Sequence, residues 1–194
     1  MKNNANVFEI ARSRMYSALN SFYIWRWLEQ SRNIHIGEAK AKKNLEIINR
    51  YKFFFIPVII NSYKGFVTDL SIFYDSERYP ETFSMGKLIK TLDGKLTKKE
   101  LTSLKEEISN IKKKHKISIN IIRDLRNKNV AHQVLKVKRN AFNTAEMEDL
   151  FIGTQKIIDL INDKYDNSTN SWKHAKEEVD KDMELLFNNL KIKR

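Results

Sequence analysis

Arg126 and His132 stand six residues apart in "IRDLRNKNVAHQ", residues 122 to 133, with Asn127 and Asn129 between them. A histidine titrates near neutrality, so it can take a proton from a ribose 2′-hydroxyl or return one to a leaving 5′-oxygen. A guanidinium beside it can hold the phosphate and stabilise the charge that builds up in a pentacoordinate transition state. Those are the parts of a phosphodiester-cleaving site that needs no metal. On an unbroken helix, however, six residues turn through about 600°, which leaves the two positions about 120° apart and unable to share a target. Asn127 and Asn129 favour helix ends and turns, so a bend between Arg126 and His132 is expected to bring them together. An arginine and a histidine at a basic helix end also occur in many proteins with no chemistry attached, and local spacing alone leaves both readings open.

Other reaction classes find few parts. The chain has no cysteine, which removes disulfides and thiolate metal sites and makes a reducing cytoplasm the natural compartment. His35, His115, His132 and His174 are widely separated, and none forms a helical HExxH pair. His174 with Glu177 or Glu178 reads as a surface ion pair, and His115, on an apolar stripe, as a core-edge residue. A Gly-rich phosphate loop and a G-x-S-x-G serine are both missing. Neither a metal nor a cofactor is expected.

The elements that must position the pair are helices. With 194 residues, 41% of them hydrophobic, the chain can bury one sizeable core, and 5 Gly and 2 Pro are too few for the turns of a sandwich or barrel. The expected fold is an all-α bundle of four to five main helices. Phe8, Ala11, Met15, Ala18, Leu19, Phe22, Trp25 and Leu28 form the stripe of a first helix over 5–32. Trp25 and Trp27 cannot share that stripe, so one of them should serve a second surface. A second helix is expected over 37–74, kinked at Pro57. Its "FFFIPVII" is apolar on every side, implying burial all round by other helices or by another subunit.

A short helix, "MGKLIKTL", follows. A third helix starts at Thr97, with Glu100 completing a capping box, and its stripe runs from Leu101 through His115 to Leu125 and into the opening segment. A fourth begins at a further Asn143/Glu146 capping box and carries Met147, Leu150, Phe151, Thr154, Ile158, Ile161 and Tyr165. Residues 1–168 are expected to form the helical domain, and 169–194 a C-terminal helix that docks on the bundle or on a partner. The longest apolar run, Phe53 to Ile60, is too short to cross a bilayer, and "MKNNANVFEI" lacks the apolar core of a signal peptide. A soluble cytoplasmic protein is expected.

The net charge of +12 is concentrated. Residues 87–139 hold 16 Lys or Arg against 5 Asp or Glu, a net of +11, so the rest of the chain sums to about +1. Such a segment is either a solvated lysine-rich face or the footprint of a polyanionic partner, whose binding counterion release would favour.

"RNKNVAH", an arginine, a polar residue beside it and a histidine after five intervening residues, resembles the Arg-x(4 to 6)-His signature of the HEPN superfamily. "IRDLRNKNVAHQ", placed after two long helices with "FFFIPVIINSYKGFVTDLSIFYDS" in the second, resembles most the HEPN-like branch of bacterial abortive-infection proteins, over roughly residues 8–165. The resemblance implies a helical bundle that dimerises so that two motifs meet in one cleft. It also implies RNA cleavage without metal to leave a 2′,3′-cyclic phosphate, in phage defence or as the toxin of a toxin-antitoxin pair. Carried over, Arg126 is the phosphate and transition-state group, Asn127 the polar neighbour and His132 the general acid-base. Arg123, Lys128, Lys136, Lys138 and Arg139 bracket the motif as candidates for backbone-phosphate contacts. Expected partners are RNA, a second copy of the chain, and a cognate antitoxin or nucleotidyltransferase. Family members modified by a nucleotidyltransferase carry a tyrosine two residues after the histidine, and Val134 stands there instead. The alternative is a non-catalytic HEPN-like module that binds RNA, a nucleotide or a partner protein.

Overall fold

The computed structural model describes residues 3–75, 83–92, 94–132, 143–165 and 172–190. Among them the chain is all α-helical. The elements are α1 (Asn3–Gln30), a 3-10 turn (Ile34–Ile36), α2 (Glu38–Arg50), α3 (Lys52–Phe73), α4 (Met85–Lys90), α5 (Lys98–Lys114), α6 (Lys116–His132), α7 (Thr144–Tyr165) and α8 (Trp172–Asn189). Among the described residues eight helices replace the four to five main ones expected, because two expected helices are each interrupted once and the short one is also formed.

The expected second helix divides at Tyr51 (φ −106°, ψ 35°) and not at Pro57. The break leaves little backbone unpaired. The Tyr51 N–H bonds Ile47 O at 3.0 Å, and the Tyr51 carbonyl accepts from the N–H groups of Phe54 and Phe55 at 2.9 and 3.0 Å. Pro57 lies inside α3. Its ring and missing N–H leave the carbonyl of Phe53, four residues back, without its helical partner. The expected third helix divides at His115 (φ −105°, ψ 23°), while its stripe continues across the break through Leu104, Ile108, Ile111, His115, Ser118 and Ile122, all buried. Thr97 and Glu100 make the expected capping box at the start of α5. At α7, Asn143 accepts from the Ala145 N–H at 2.9 Å, while Glu146 accepts from the Ser118 hydroxyl of α6 at 3.3 Å.

The chain forms two compact units, one of Met1–Ser17 with Val67–Asn170 and one of Ala18–Phe66 with Ser171–Arg194. In the first, α5, α6 and α7 bury Ile108, Ile111, Ile122, Met147, Leu150, Phe151, Ile158 and Ile161. Each such side chain contributes about 1.5–3 kcal/mol on leaving water. A Cβ built on Gly153 of α7 would stand 3.3 Å from Ile111 of α5, so these two helices approach closely because Gly153 has no side chain.

In the second unit, Phe22 and Trp25 of α1 meet Phe66 of α3, with ring centroids 5.5 and 5.3 Å apart. The two tryptophans divide as expected. Trp25 is buried, whereas Trp27 is half-buried and meets Phe187 of α8 at 4.7 Å. Phe187 also meets Phe55 of α3 at 5.1 Å, so α8 is held by an aromatic cluster. The all-round burial expected of "FFFIPVII" is not found within the chain. Phe55 and Ile59 are buried, but Phe53, Phe54 and Ile56 are 88%, 56% and 50% exposed. A helix packed on one side covers one stripe, and the residues between stay in solvent.

Candidate active site

Arg126 lies six residues before the end of α6 and is held from three directions. Its Nη1 donates to Asp75 Oδ2 in a short ion pair and to Ser71 Oγ at 3.4 Å. Its Nε and Nη2 both donate to Asn127 Oδ1, at 3.3 and 3.2 Å. Among the described residues these contacts engage four of the five guanidinium N–H donors. The pair is partly shielded, with 22% of the Arg126 side chain and 14% of the Asp75 side chain exposed. Ser71 is in turn fixed by donating to Thr68 O at 2.9 Å.

Asp75 stands two residues after the end of α3 and Ser71 lies in its last turn, so the guanidinium is positioned by the meeting of α3 with α6. A second carboxylate of α3, Asp69, repeats the arrangement against α1, accepting from Arg14 Nη1 at 2.7 Å and from Ser17 Oγ at 2.6 Å. Asp75, Ser71 and Asp69 do not figure in the sequence reading. A signal for them exists: "VTDLSIFYD" places two aspartates in an otherwise apolar helical run, where an ionised group needs a partner.

The bend expected between Arg126 and His132 is not present, because the backbone is helical through His132. With one hydrogen bond per residue available, the helix overrides the preference of Asn127 and Asn129 for its ends. The two positions therefore sit about 120° apart around the axis and about 9 Å apart along it. Arg123 is half-buried on α6, and Asn127 is exposed. The side chains of Lys128 and His132, and all of Val134, Lys136, Lys138 and Arg139, lie outside the described residues.

His115 marks a separate polar cluster where α5 passes into α6. Burial lowers its pKa below the ordinary value, against the opposing pull of Asp149, whose Oδ2 stands 3.7 Å from Nε2. Lys114 donates to the same carboxylate at 2.5 Å and holds the Asp149 pKa down. Among the described residues no group of three or more metal-ligating side chains occurs, and no helix is long and apolar enough to cross a membrane.

An all-α chain whose Arg-x5-His segment lies on one helix, with the arginine anchored to an earlier helix, is HEPN-like in class. Residues 70–186 match the family model HEPN_AbiU2, described as AbiU2, and the chain belongs to this abortive-infection HEPN family. No curated protein and no solved structure matches it.

Proposed function

We propose that this protein is a metal-independent endoribonuclease of the HEPN type, acting in phage defence by abortive infection or as a toxin, on a site completed by two copies of the chain. The observation that carries this reading is the fixed Arg126 guanidinium within the region matched to the family. A cation ordered before the substrate arrives needs little reorganisation as charge develops in the transition state. In the reaction, His132 takes the 2′-hydroxyl proton, the 2′-oxygen attacks phosphorus, the P–O5′ bond breaks to leave the 2′,3′-cyclic phosphate, and the His132 imidazolium returns the proton to the leaving 5′-oxygen. Arg126 stabilises the phosphorane, and Asn127 positions Arg126. Arg123, Lys128, Lys136, Lys138 and Arg139 supply phosphate contacts from the segment of net charge +11.

The continuous helix favours a site completed by a second copy. If Arg126 and His132 of one chain point to different targets, an arginine from one protomer must meet the histidine of the other. The exposed Phe53, Phe54 and Ile56 offer apolar surface that such an association would bury. Without dimerisation, the same geometry favours a second reading, a non-catalytic module that binds RNA, a nucleotide or a partner such as an antitoxin.

The test is incubation of RNA in EDTA with wild type, Arg126→Ala and His132→Ala, followed by end-group analysis. The expected result is cleavage by the wild type alone, leaving 2′,3′-cyclic phosphate ends. Equal background cleavage by all three, with salt-sensitive RNA binding intact, would establish the non-catalytic reading.

A further inference from the structure

The outward half of α3 begins where the chain breaks after α2. Phe53, Pro57, Ile60 and Lys64 follow at steps of four, three and four residues and share one face of α3, with Phe54 and Ile56 to either side. Phe55, Ile59 and Phe66 take the opposite face and are buried. Of the outward set, Phe53, Phe54, Ile56, Pro57 and Lys64 are exposed and Ile60 is half-buried. Tyr51, at the break, is exposed as well. The stripe from Phe53 to Lys64 runs about 16 Å along the helix. Its charge is of one sign: from Ile47 to Thr68 the chain holds Arg50, Lys52 and Lys64 and no Asp or Glu. The Lys52 ammonium stands 5.3 Å from the centre of the Phe53 ring, so a cation accompanies this aromatic side chain.

We propose that α3 seats this face in the head-group region of an anionic lipid bilayer, with Phe53, Phe54 and Ile56 among the upper acyl carbons and Lys52 and Lys64 on lipid phosphates. An amphipathic helix with aromatic and aliphatic residues on one side and lysines at its margins lies in the plane of such an interface. None of the described helices is long and apolar enough to cross a membrane, so the contact is with one leaflet. A second copy of the chain is the rival occupant, and charge decides between the two. A two-fold contact brings the lysines of one copy towards those of the other, and the stripe supplies no carboxylate to offset them. A bilayer carrying anionic lipid offsets both lysines and takes up the apolar side chains without needing a matching pocket. On this inference the dimer of the ribonuclease reading is built on another face, and lipid binding does not depend on whether RNA is cleaved.

The full chain is mixed with sucrose-loaded vesicles of phosphatidylcholine, alone or with about one-third phosphatidylglycerol, and the pelleted fraction is measured. Binding to the anionic vesicles is expected, and about tenfold or more weaker binding to phosphatidylcholine alone. The whole chain is basic, so insertion has to be separated from plain attraction to residues 87–139. Phe53→Ser/Phe54→Ser keeps every charge and is expected to weaken binding about tenfold or more in a chain that melts like the wild type. Lys52→Glu/Lys64→Glu is expected to weaken it further than Lys99→Glu/Lys113→Glu, an equal reversal on α5. The chain has no cysteine, so Ile56→Cys takes a single nitrobenzoxadiazole label, whose emission should rise and shift to the blue on anionic vesicles. The same label on Lys113→Cys should not shift. No binding to anionic vesicles, undiminished binding by Phe53→Ser/Phe54→Ser, equal weakening by the two charge reversals, or no blue shift from Ile56→Cys overturns the proposal. A wild-type dimer in lipid-free buffer that Phe53→Ser/Phe54→Ser splits into monomers assigns the face to a second copy and overturns it as well.

Discussion

The Arg126 guanidinium is tied to the Asp75 carboxylate, 51 residues earlier in the chain, so the arginine of the proposed site is fixed by the end of α3 as much as by its own helix. The contact joins two roles. It is partly shielded from water, which raises the cost of leaving either charge alone. It also restrains a long side chain that would otherwise lose rotamer freedom on meeting a phosphate. Because Ser71 and Asn127 share the guanidinium, removing Asp75 should loosen Arg126 without freeing it completely.

A double-mutant cycle measures that coupling. Asp75→Ala and Arg126→Ala are each expected to destabilise the chain, with a coupling energy of about 1–3 kcal/mol, as for a charge-assisted hydrogen bond outside bulk water. Urea unfolding of the two single variants and the double variant gives the value. Strictly additive losses would mean that the pair contributes only as two separate surface residues.

The aromatic cluster around α8 makes a second prediction. Phe187 is 4% exposed and meets both Trp27 and Phe55. Phe187→Ala should cost about 3–4 kcal/mol through lost burial and the cavity left behind. Trp27 fluorescence should shift towards that of a solvated indole, whereas Leu185→Ala, at a residue 59% exposed, should change neither property. A loss below ~1 kcal/mol for Phe187→Ala would show that α8 is held by other contacts.

The apolar stripes were legible before the structure because burial imposes a helical period directly on residue type. All eight stripe residues of α1 are buried, as are Met147, Leu150, Phe151, Thr154, Ile158 and Ile161 of α7. The interruptions were not legible. At His115 the helices on either side keep one buried face, so the period carries no mark of the break. At Tyr51 the backbone departs from helical values without leaving an unusual residue type. The local signature of the site could be read, but its anchor could not, because Asp75 is brought to Arg126 only by the packing of α3 and α6. The asparagines misled for the opposite reason: their preference for helix ends is worth fractions of a kcal/mol and is readily overridden by the rest of the helix.

A pH dependence follows from His115. The imidazole is buried at the α5–α6 break, facing Asp149, Lys114 and Glu146, and desolvation outweighs the carboxylates to lower its pKa in the folded chain. The unfolded chain then binds the proton more readily than the folded one, so stability must fall as pH drops below the ordinary value of 6.5 and continue falling until the folded-state pKa is passed. Asp149 titrates in a separate window, from its ordinary 3.8 downwards. Thermal melts from pH 8 to pH 5 should show a decline that is shallower in His115→Asn. Parallel profiles for the two proteins would assign the decline to other groups.

Mixed protomers test whether the site is shared between two chains. Because α6 is helical from Lys116 through His132, Arg126 and His132 of one chain occupy different faces, and the proposed site takes its arginine from one protomer and its histidine from the other. Combine Arg126→Ala chains with His132→Ala chains, each inactive alone. In a heterodimer, one of the two shared sites lacks both groups and the other has both intact. With random pairing about half the dimers are mixed, so about a quarter of the wild-type RNA cleavage should return. A site contained within a single chain predicts no recovery at any mixing ratio, since every chain then lacks one of its two groups. Replacing Phe53 and Phe54 with Asp in both chains should abolish the recovery if dimerisation uses that exposed surface, and size-exclusion chromatography should show monomers. Recovery that survives those substitutions would place the interface on another face of the chain.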